Sequence, residues 1–206
     1  MEASIRSRFD RAPIDPAQTA IVGALVGALS ARDPMESGHN DRVCAYARAL
    51  AERVDPGMLD DPGVEAGFRL HDVGKMALPD NTLRRRGPLS ARDWKLIQRH
   101  TVIGEEMIAA TGVLPGAAVV VRSHHERWDG HGYPDRLRGE DIPLPARIFA
   151  VADALDAITT DRPYRAGGTL GQAREKITAD SGAHFDPRVV SALEAVPDAV
   201  LEAIRT

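Results

Sequence analysis

Residues 38–53 read GHNDRVCAYARALAER, and this stretch indicates the fold class. Val43, Ala47 and Leu50 recur at intervals of three and four residues, with charged residues on the opposite face. That spacing predicts an amphipathic α-helix. Because such a helix must bury its apolar stripe against other elements, the stretch favours a layered helical domain.

Helical patterns of this kind account for most of the chain. No stretch alternates apolar and polar residues with a period of two, as a half-buried strand would. The sequence therefore predicts an all-α, single-domain bundle of about seven helices at residues 17–206, after an N-terminal extension at residues 1–16. The further helical segments are 17–31, 63–74, 91–110, 115–125, 145–160, 169–181 and 187–204.

The composition excludes several classes of protein. A length of 206 residues suits one domain, and a formal charge of −4 argues against binding of polymeric nucleic acid. The apolar run Ala20–Leu29 is too short to span a bilayer, so no membrane partner is expected. The only cysteine, Cys44, is interpreted as a small buried residue, and the protein as cytoplasmic.

HDVGK, residues 71–75, is the first stretch that indicates chemistry. His71 and Lys75 are four residues apart, so they are expected to share one face of a helix. Imidazole and carboxylate together suit iron, manganese or zinc. The pair His71–Asp72 alone also fits a helix end with a capping aspartate, so its interpretation depends on the other histidines.

Four further histidines lie on predicted helices, where they could join His71 and Asp72 in one site. His39 begins one helix, and His100 lies in the middle of another. His124 and His125 end a third, and they lead into a long loop at 126–144 that is rich in glycine, proline and charge. Long loops in compact domains are usually functional, which favours a site near this histidine pair.

Asp153 adds a second carboxylate. It interrupts the apolar helix 145–160, where an unpaired aspartate would be costly to bury. Five histidines and two aspartates exceed the needs of one metal, so they predict two divalent ions with Asp72 as the bridge. Such pairs hydrolyse phosphate esters, and Lys75 would neutralise charge that develops in the transition state.

HDVGK followed by HHERWDGHGYP, residues 124–134, resembles the HD-GYP family of cyclic-dinucleotide phosphodiesterases. Further matching pieces are GHNDRV, the LPD after HDVGK, IPLPARIFAVADALDAITTDRPYR and FDP, in the family's order. The resemblance implies an HD-superfamily fold, two iron or manganese ions, and hydrolysis of cyclic di-GMP to the linear dinucleotide pGpG, to GMP or to both.

The resemblance also implies roles for individual residues. Lys75 and Asp72 would be catalytic, and Tyr133 would contact the substrate. Arg162 and Arg165 would bind phosphate, although they also fit a solvated helix end. The implied metal ligands are His39, His71, Asp72, His100, His124, His125 and Asp153, whereas His131 and His184 are interpreted as structural.

One departure from the family pattern affects the metal count. Some members have a glutamate four residues before the first histidine, which supports a third metal. Here that position is Met35, a poor ligand for a hard metal, and Glu36 is one residue out of place. Two metals are therefore expected.

Other readings stay open. The substrate could be another cyclic dinucleotide, such as cyclic GMP-AMP. The chain could instead be a signalling module that binds a diguanylate cyclase through its GYP surface, but the complete ligand set and Lys75 argue against a purely non-catalytic role. Nucleotide monophosphatases of the wider superfamily are disfavoured by the GYP segment and TDRPYR. We expect no room for a sensor domain beside the catalytic one. Regulation would then come from a partner protein, from a homodimer or from parts of the protein outside this sequence.

Overall fold

The computed structural model describes residues 15–33, 38–83, 85, 87–112, 114–161 and 166–205. Within these ranges the protein has eleven α-helical segments, three short 3-10 helices and no β-strand. The predicted all-α fold is confirmed. The segments are α1 (Pro16–Arg32), α2 (His39–Val54), α3 (Pro62–Leu70), α4 (Asp80–Leu83), α5 (Ala91–Gln98), α6 (His100–Thr111), α7 (Pro115–Ser123), α8 (Leu144–Thr159), α9 (Leu170–Ala179), α10 (Pro187–Ala195) and α11 (Asp198–Arg205).

There are more α-helical segments than predicted stretches because two of those stretches are divided and the short helix α4 lies outside them. The last predicted stretch is interrupted where Val196 adopts an extended conformation before Pro197, since proline disfavours helical backbone in the preceding residue. The segment 91–110 is interrupted at Arg99, so His100 begins α6. The expectation that His100 lies in the middle of a helix is therefore wrong.

The HDVGK segment is not a continuous α-helix either. Helix α3 ends at Leu70, His71 and Asp72 form a turn, and a 3-10 helix covers Val73–Ala77. The expectation that His71 and Lys75 share an α-helical face is therefore wrong. Instead, the turn and the tighter helix bring the Lys75 ammonium to within 2.6 Å of Asp72 Oδ2.

A close backbone crossing accounts for this local geometry. A Cβ atom on Gly74 would lie 1.9 Å from the carbonyl oxygen of His100 and 2.6 Å from the backbone nitrogen of Gly104. Only glycine lets the 3-10 helix approach α6 this closely. The crossing brings the His71–Asp72 turn beside the first residue of α6.

Helix α2 lies at the centre of the larger core. Its buried residues include Val43, Tyr46 and Leu50, which belong to one apolar cluster with Phe149 and Leu155 of α8. A smaller cluster lies beneath α3, α6 and α7. Together the two cores hold the ends of these helices around one site.

Helix α1 contains the apolar run Ala20–Leu29. Leu29 is fully buried, and Val22, Leu25 and Val26 pack partly against the smaller core. None of the helices in the described part of the chain combines the length and apolar character needed to cross a membrane.

Candidate metal centre

Five helices deliver the seven predicted ligands to one region. The histidines lie at helix boundaries. His39 and His100 begin α2 and α6, and the His71–Asp72 turn follows α3. His124 is the residue directly after α7. Asp153 differs, since it lies in the middle of α8.

One carboxylate oxygen of Asp72 faces the first group of histidines. Asp72 Oδ1 lies 3.1 Å from His100 Nε2 and 3.9 Å from His124 Nε2. Ligand atoms of Asp72, His100, His124 and His125 all lie within 4.8 Å of one another. This spacing is suitable for a shared metal ion.

The other oxygen of Asp72 faces a second group. Asp72 Oδ2 lies 3.1 Å from His71 Nε2, and the rings of His71 and His39 have centroids 5.6 Å apart. His39 Nε2 in turn lies 3.5 Å from Asp153 Oδ1. The two oxygens of Asp72 therefore point to different sets of potential ligands, as a bridging carboxylate requires.

Backbone carbonyl groups set the tautomers of three histidines. Each ring donates from Nδ1 to the carbonyl oxygen three residues earlier, which leaves the lone pair of Nε2 directed into the site. A hydrogen bond at the second ring nitrogen is typical of metal-binding histidines. The pairs are His71 with Phe68 at 3.1 Å, His100 with Ile97 at 2.7 Å and His124 with Val121 at 2.9 Å.

Two contacts in the site call for a cation. The Nε2 atoms of His100 and His124 lie 3.2 Å apart, so two lone pairs face each other. Asp72 Oδ1 is buried and has no hydrogen-bond partner among the described residues. Since buried polar atoms are normally satisfied, this donor set fits a divalent metal ion.

The protonation states of these groups agree with metal binding. Burial opposes ionisation of Asp72, but Lys75 and His71 outweigh it and hold the pKa of the carboxyl well below its ordinary value. Burial lowers the pKa of His124, and it lowers the pKa of His125 to about 3. The site therefore offers an ionised carboxylate and neutral imidazoles at neutral pH, the forms that bind metals.

Asp156 supports His39 and is not among the site residues predicted from the sequence. Asp156 Oδ2 accepts a hydrogen bond from His39 Nδ1 at 2.7 Å, and Arg42 donates to the same carboxylate at 2.6 Å. The side chain of Asp156 is 2% exposed, whereas that of Asp153 is 35% exposed. The expectation that Asp153 is a buried carboxylate is thus wrong. The sequence did contain a signal for Asp156, because this second aspartate follows Asp153 by about one turn of the same apolar helix.

The chain matches a known protein family over most of its length. The sequence model of the HD domain family matches residues 24–189. The chain belongs to the HD domain family. The predicted membership is thereby confirmed, and the resemblance to HD-GYP phosphodiesterases agrees with the names that the curated relatives carry.

Relatives of this HD domain include named phosphodiesterases. The chain is 37% identical over 175 residues to 3'3'-cGAMP-specific phosphodiesterase 2 of Vibrio cholerae, covering 84% of this chain and 34% of that protein. It is 42% identical over 168 residues to a cyclic di-GMP phosphodiesterase of Pseudomonas aeruginosa, covering 80% of this chain and 40% of that protein. The chain thus spans less than half the length of these curated relatives.

A solved structure supports the fold. A cyclic GMP-AMP specific phosphodiesterase of Vibrio cholerae superimposes with a TM-score of 0.69 over 90% of this chain and 51% of its own, at 19% identity. At that identity the likeness concerns the fold alone.

The loop at residues 126–144, called the GYP loop below, forms one wall of the metal centre. The Tyr133 ring lies 4.7 Å from the His125 ring and 6.4 Å from the His100 ring, measured between centroids. A Cβ on Gly132 would lie 2.4 Å from the backbone nitrogen of Arg127, so this position requires glycine. The loop prediction for 126–144 is confirmed, apart from a 3-10 turn at Gly139–Asp141 and from Leu144, which begins α8.

An apolar side chain forms the floor of the metal centre. Phe149 of α8 packs against His71, with ring centroids 4.6 Å apart, and against His124 at 5.6 Å. Phe68 in turn stacks on the Phe149 ring, with ring centroids 6.0 Å apart. These contacts hold the imidazoles in place and exclude water beneath them.

The remaining interpretations have mixed outcomes. His131 has a side chain that is 83% exposed, and His184 stacks on Phe185, so both agree with structural roles. Cys44 is buried, and burial raises the pKa of its thiol to about 11. The predictions for Met35, Glu36, Arg162 and Arg165 concern residues outside the described ranges.

Proposed function

We propose that this HD domain is a metal-dependent phosphodiesterase that hydrolyses cyclic di-GMP to pGpG, to GMP or to both. The observation that carries the proposal is the position of Asp72, whose two oxygens face different groups of histidines. Relatives named cyclic di-GMP phosphodiesterases support the substrate.

Two divalent ions, iron or manganese, are proposed for the site. Asp72 Oδ1 with His100, His124 and His125 would hold one, and Asp72 Oδ2 with His71, His39 and Asp153 would hold the other. When bound, such ions activate water and neutralise phosphate oxygens. Asp156 would orient His39 toward its ion through the bond at Nδ1.

Lys75 is proposed as the catalytic cation. Its ammonium lies beside Asp72 Oδ2 at the partly exposed side of the centre, where the phosphate of a substrate would arrive. A fixed positive charge there stabilises the negative charge that develops on the phosphate oxygens.

Tyr133, Arg162 and Arg165 are proposed to bind the substrate. Tyr133 presents an aromatic ring beside His125, against which a guanine base could stack. The proposal for the two arginines rests on the TDRPYR motif alone, since forked guanidinium groups suit phosphate recognition.

The decisive experiment combines metal analysis with product analysis. Protein purified without oxygen is expected to contain nearly two iron or manganese ions per chain and to convert cyclic di-GMP to pGpG or GMP on chromatography. Chelation should stop turnover, and anaerobic Fe(II) or Mn(II) should restore it. No product from fully metallated protein would reject cyclic di-GMP as the substrate.

Cyclic GMP-AMP is the second candidate substrate, because matched relatives are named as specific for it. Turnover of both compounds under the same conditions decides between them. A role in binding a diguanylate cyclase through residues 126–134 is the non-catalytic alternative, and such binding would survive chelation. We also propose that the protein acts in the cytoplasm. Its phosphodiesterase activity would be regulated by a partner protein or by formation of a homodimer.

A further inference from the structure

A cavity outside the metal centre lies between helix α5 and the GYP loop. Its volume is about 490 Å³, and Lys95, Arg99, Tyr133 and Arg136 are among the residues that line it. A cavity of this size can hold part of a nucleotide. Its lining is strongly basic, although the chain as a whole carries a formal charge of −4.

The three cations converge from two elements. Lys95 lies on α5, and Arg99 is the C-cap of this helix, four residues later. Residues four apart are neighbours on the surface of a helix, so the two side chains lie on the same side of α5. Arg136 approaches from the GYP loop. In the part of the chain that the structure describes, no carboxylate lies within 4.0 Å of any of the three side-chain charges.

Acidic groups of the same loop are already paired elsewhere. Asp129 accepts two hydrogen bonds from Arg127, at 3.1 and 2.7 Å. Asp135 accepts two from Arg122, at 2.6 and 2.8 Å, and Glu105 pairs with the same arginine. These carboxylates therefore leave the charge of the cavity lining uncompensated.

The position of Arg136 is built into the fold. The buried carboxylate of Glu126 accepts the backbone N–H groups of Asp135 at 2.7 Å and Leu137 at 3.1 Å. Arg136 between them has a φ of 58°, in the left-handed region that residues other than glycine seldom adopt. An anchored loop thus holds this arginine at the cavity.

Tyr133 connects the cavity to the metal centre. Its ring lies against His125 on the side of the centre, and the same residue lines the cavity. Arg99, at the cavity, directly precedes His100, at the centre. A ligand with two phosphates could therefore reach both places.

We propose that Lys95, Arg99 and Arg136 form a subsite for the phosphate of a cyclic dinucleotide that is not being hydrolysed. The inference rests on the proposed phosphodiesterase function. A cyclic dinucleotide carries two phosphates, and only one can react at a time. The second brings a negative charge that needs a counter-charge within reach of the centre, and this cavity supplies it.

Charge reversal tests the subsite. Lys95→Glu and Arg99→Glu are compared with Arg92→Glu, which makes the same change in charge at an exposed position on α5 away from the cavity. Michaelis constants are measured for cyclic di-GMP and for bis(p-nitrophenyl) phosphate, which has a single phosphate. Metal content is measured for each variant as a check on the centre.

Each cavity variant is expected to raise KM for cyclic di-GMP about tenfold or more, as loss of a charge-assisted hydrogen bond does. The rise should be smaller with the single phosphodiester, and Arg92→Glu should match the parent with both compounds. Equal rises for both compounds would instead indicate damage to the metal centre and overturn the subsite.

Two further outcomes would contradict the proposal. If the parent hydrolyses cyclic di-GMP and both cavity variants keep its KM, the subsite is rejected while the proposed function stands. If calorimetry finds two cyclic di-GMP molecules per parent chain and the variants lose one, the cavity is a separate regulatory site. A parent that neither binds nor hydrolyses cyclic di-GMP overturns the function and the subsite together.

Discussion

His39 Nδ1 lies 2.7 Å from Asp156 Oδ2, so a buried aspartate of α8 holds the first predicted metal ligand of α2. The hydrogen bond fixes the ring and leaves Nε2 directed toward Asp153, 3.5 Å away. Arg42 binds the same carboxylate, and the hydrogen bonds from His39 and Arg42 together keep the pKa of Asp156 below its ordinary value, against the effect of burial. One carboxylate thus connects the helix packing to the metal centre.

The variant Asp156→Asn is expected to weaken metal binding or activity by about 10- to 100-fold, as loss of an outer-shell partner commonly does. Competition with a chelator measures the affinity. The exposed change Asp60→Asn serves as the control and should match the parent. Unaltered affinity and activity in Asp156→Asn would show that His39 needs no support or is not a ligand.

Lys75→Ala is expected to retain both metals but to slow turnover of cyclic di-GMP by about 10²–10³-fold, the usual effect of removing one electrostatic group. The physical reason is the loss of the ammonium charge that lies 2.6 Å from Asp72 Oδ2. Elemental analysis and steady-state rates test the two parts separately, with the exposed change Lys176→Ala as the control. Parental turnover in Lys75→Ala would remove the lysine from the mechanism.

Gly74→Ala is expected to destabilise the protein by about 3 kcal/mol, at the upper end of the overpacking range. The new methyl group would meet the His100 carbonyl oxygen at 1.9 Å, and backbone cannot move aside as a side chain can. Gly27→Ala is the matched control, because nothing lies within 4 Å of its added Cβ and helix propensity favours alanine. Urea unfolding should therefore give changes of opposite sign, and a parental midpoint for Gly74→Ala would contradict the close crossing.

The metal-free protein is expected to lose stability as the pH falls below about 6.5. Burial holds the pKa of His125 at about 3 and also lowers that of His124, against an ordinary value of 6.5. The unfolded chain therefore binds protons in this window that the folded chain excludes, which costs about 1.4 kcal/mol per pH unit for each histidine.

Urea unfolding at several pH values between 7.5 and 5 measures this slope. His125→Gln cannot take up the proton, so its stability should depend less steeply on pH than that of the parent. Parallel pH profiles for the two proteins would mean that His125 is readily protonated in the folded state.

Local sequence determined much of the helical structure. The period of Val43, Ala47 and Leu50 is a property of neighbouring residues, and α2 follows it from His39 to Val54. The capping box at Ser90 and Asp93 is also a local feature, because its two hydrogen bonds join residues only three apart. Such features need no information from the rest of the chain.

The sequence by itself also indicated which side chains belong to the candidate centre, since the kinds of residue that bind metals can be read from the chain. Their geometry depended on tertiary structure. The crossing of Gly74 and His100, the turn at His71–Asp72 and the bond between His39 and Asp156 each depend on segments distant in sequence. Local propensity favoured one helix across residues 63–74, but close packing against α6 ended it at Leu70 and thereby brought Lys75 to Asp72.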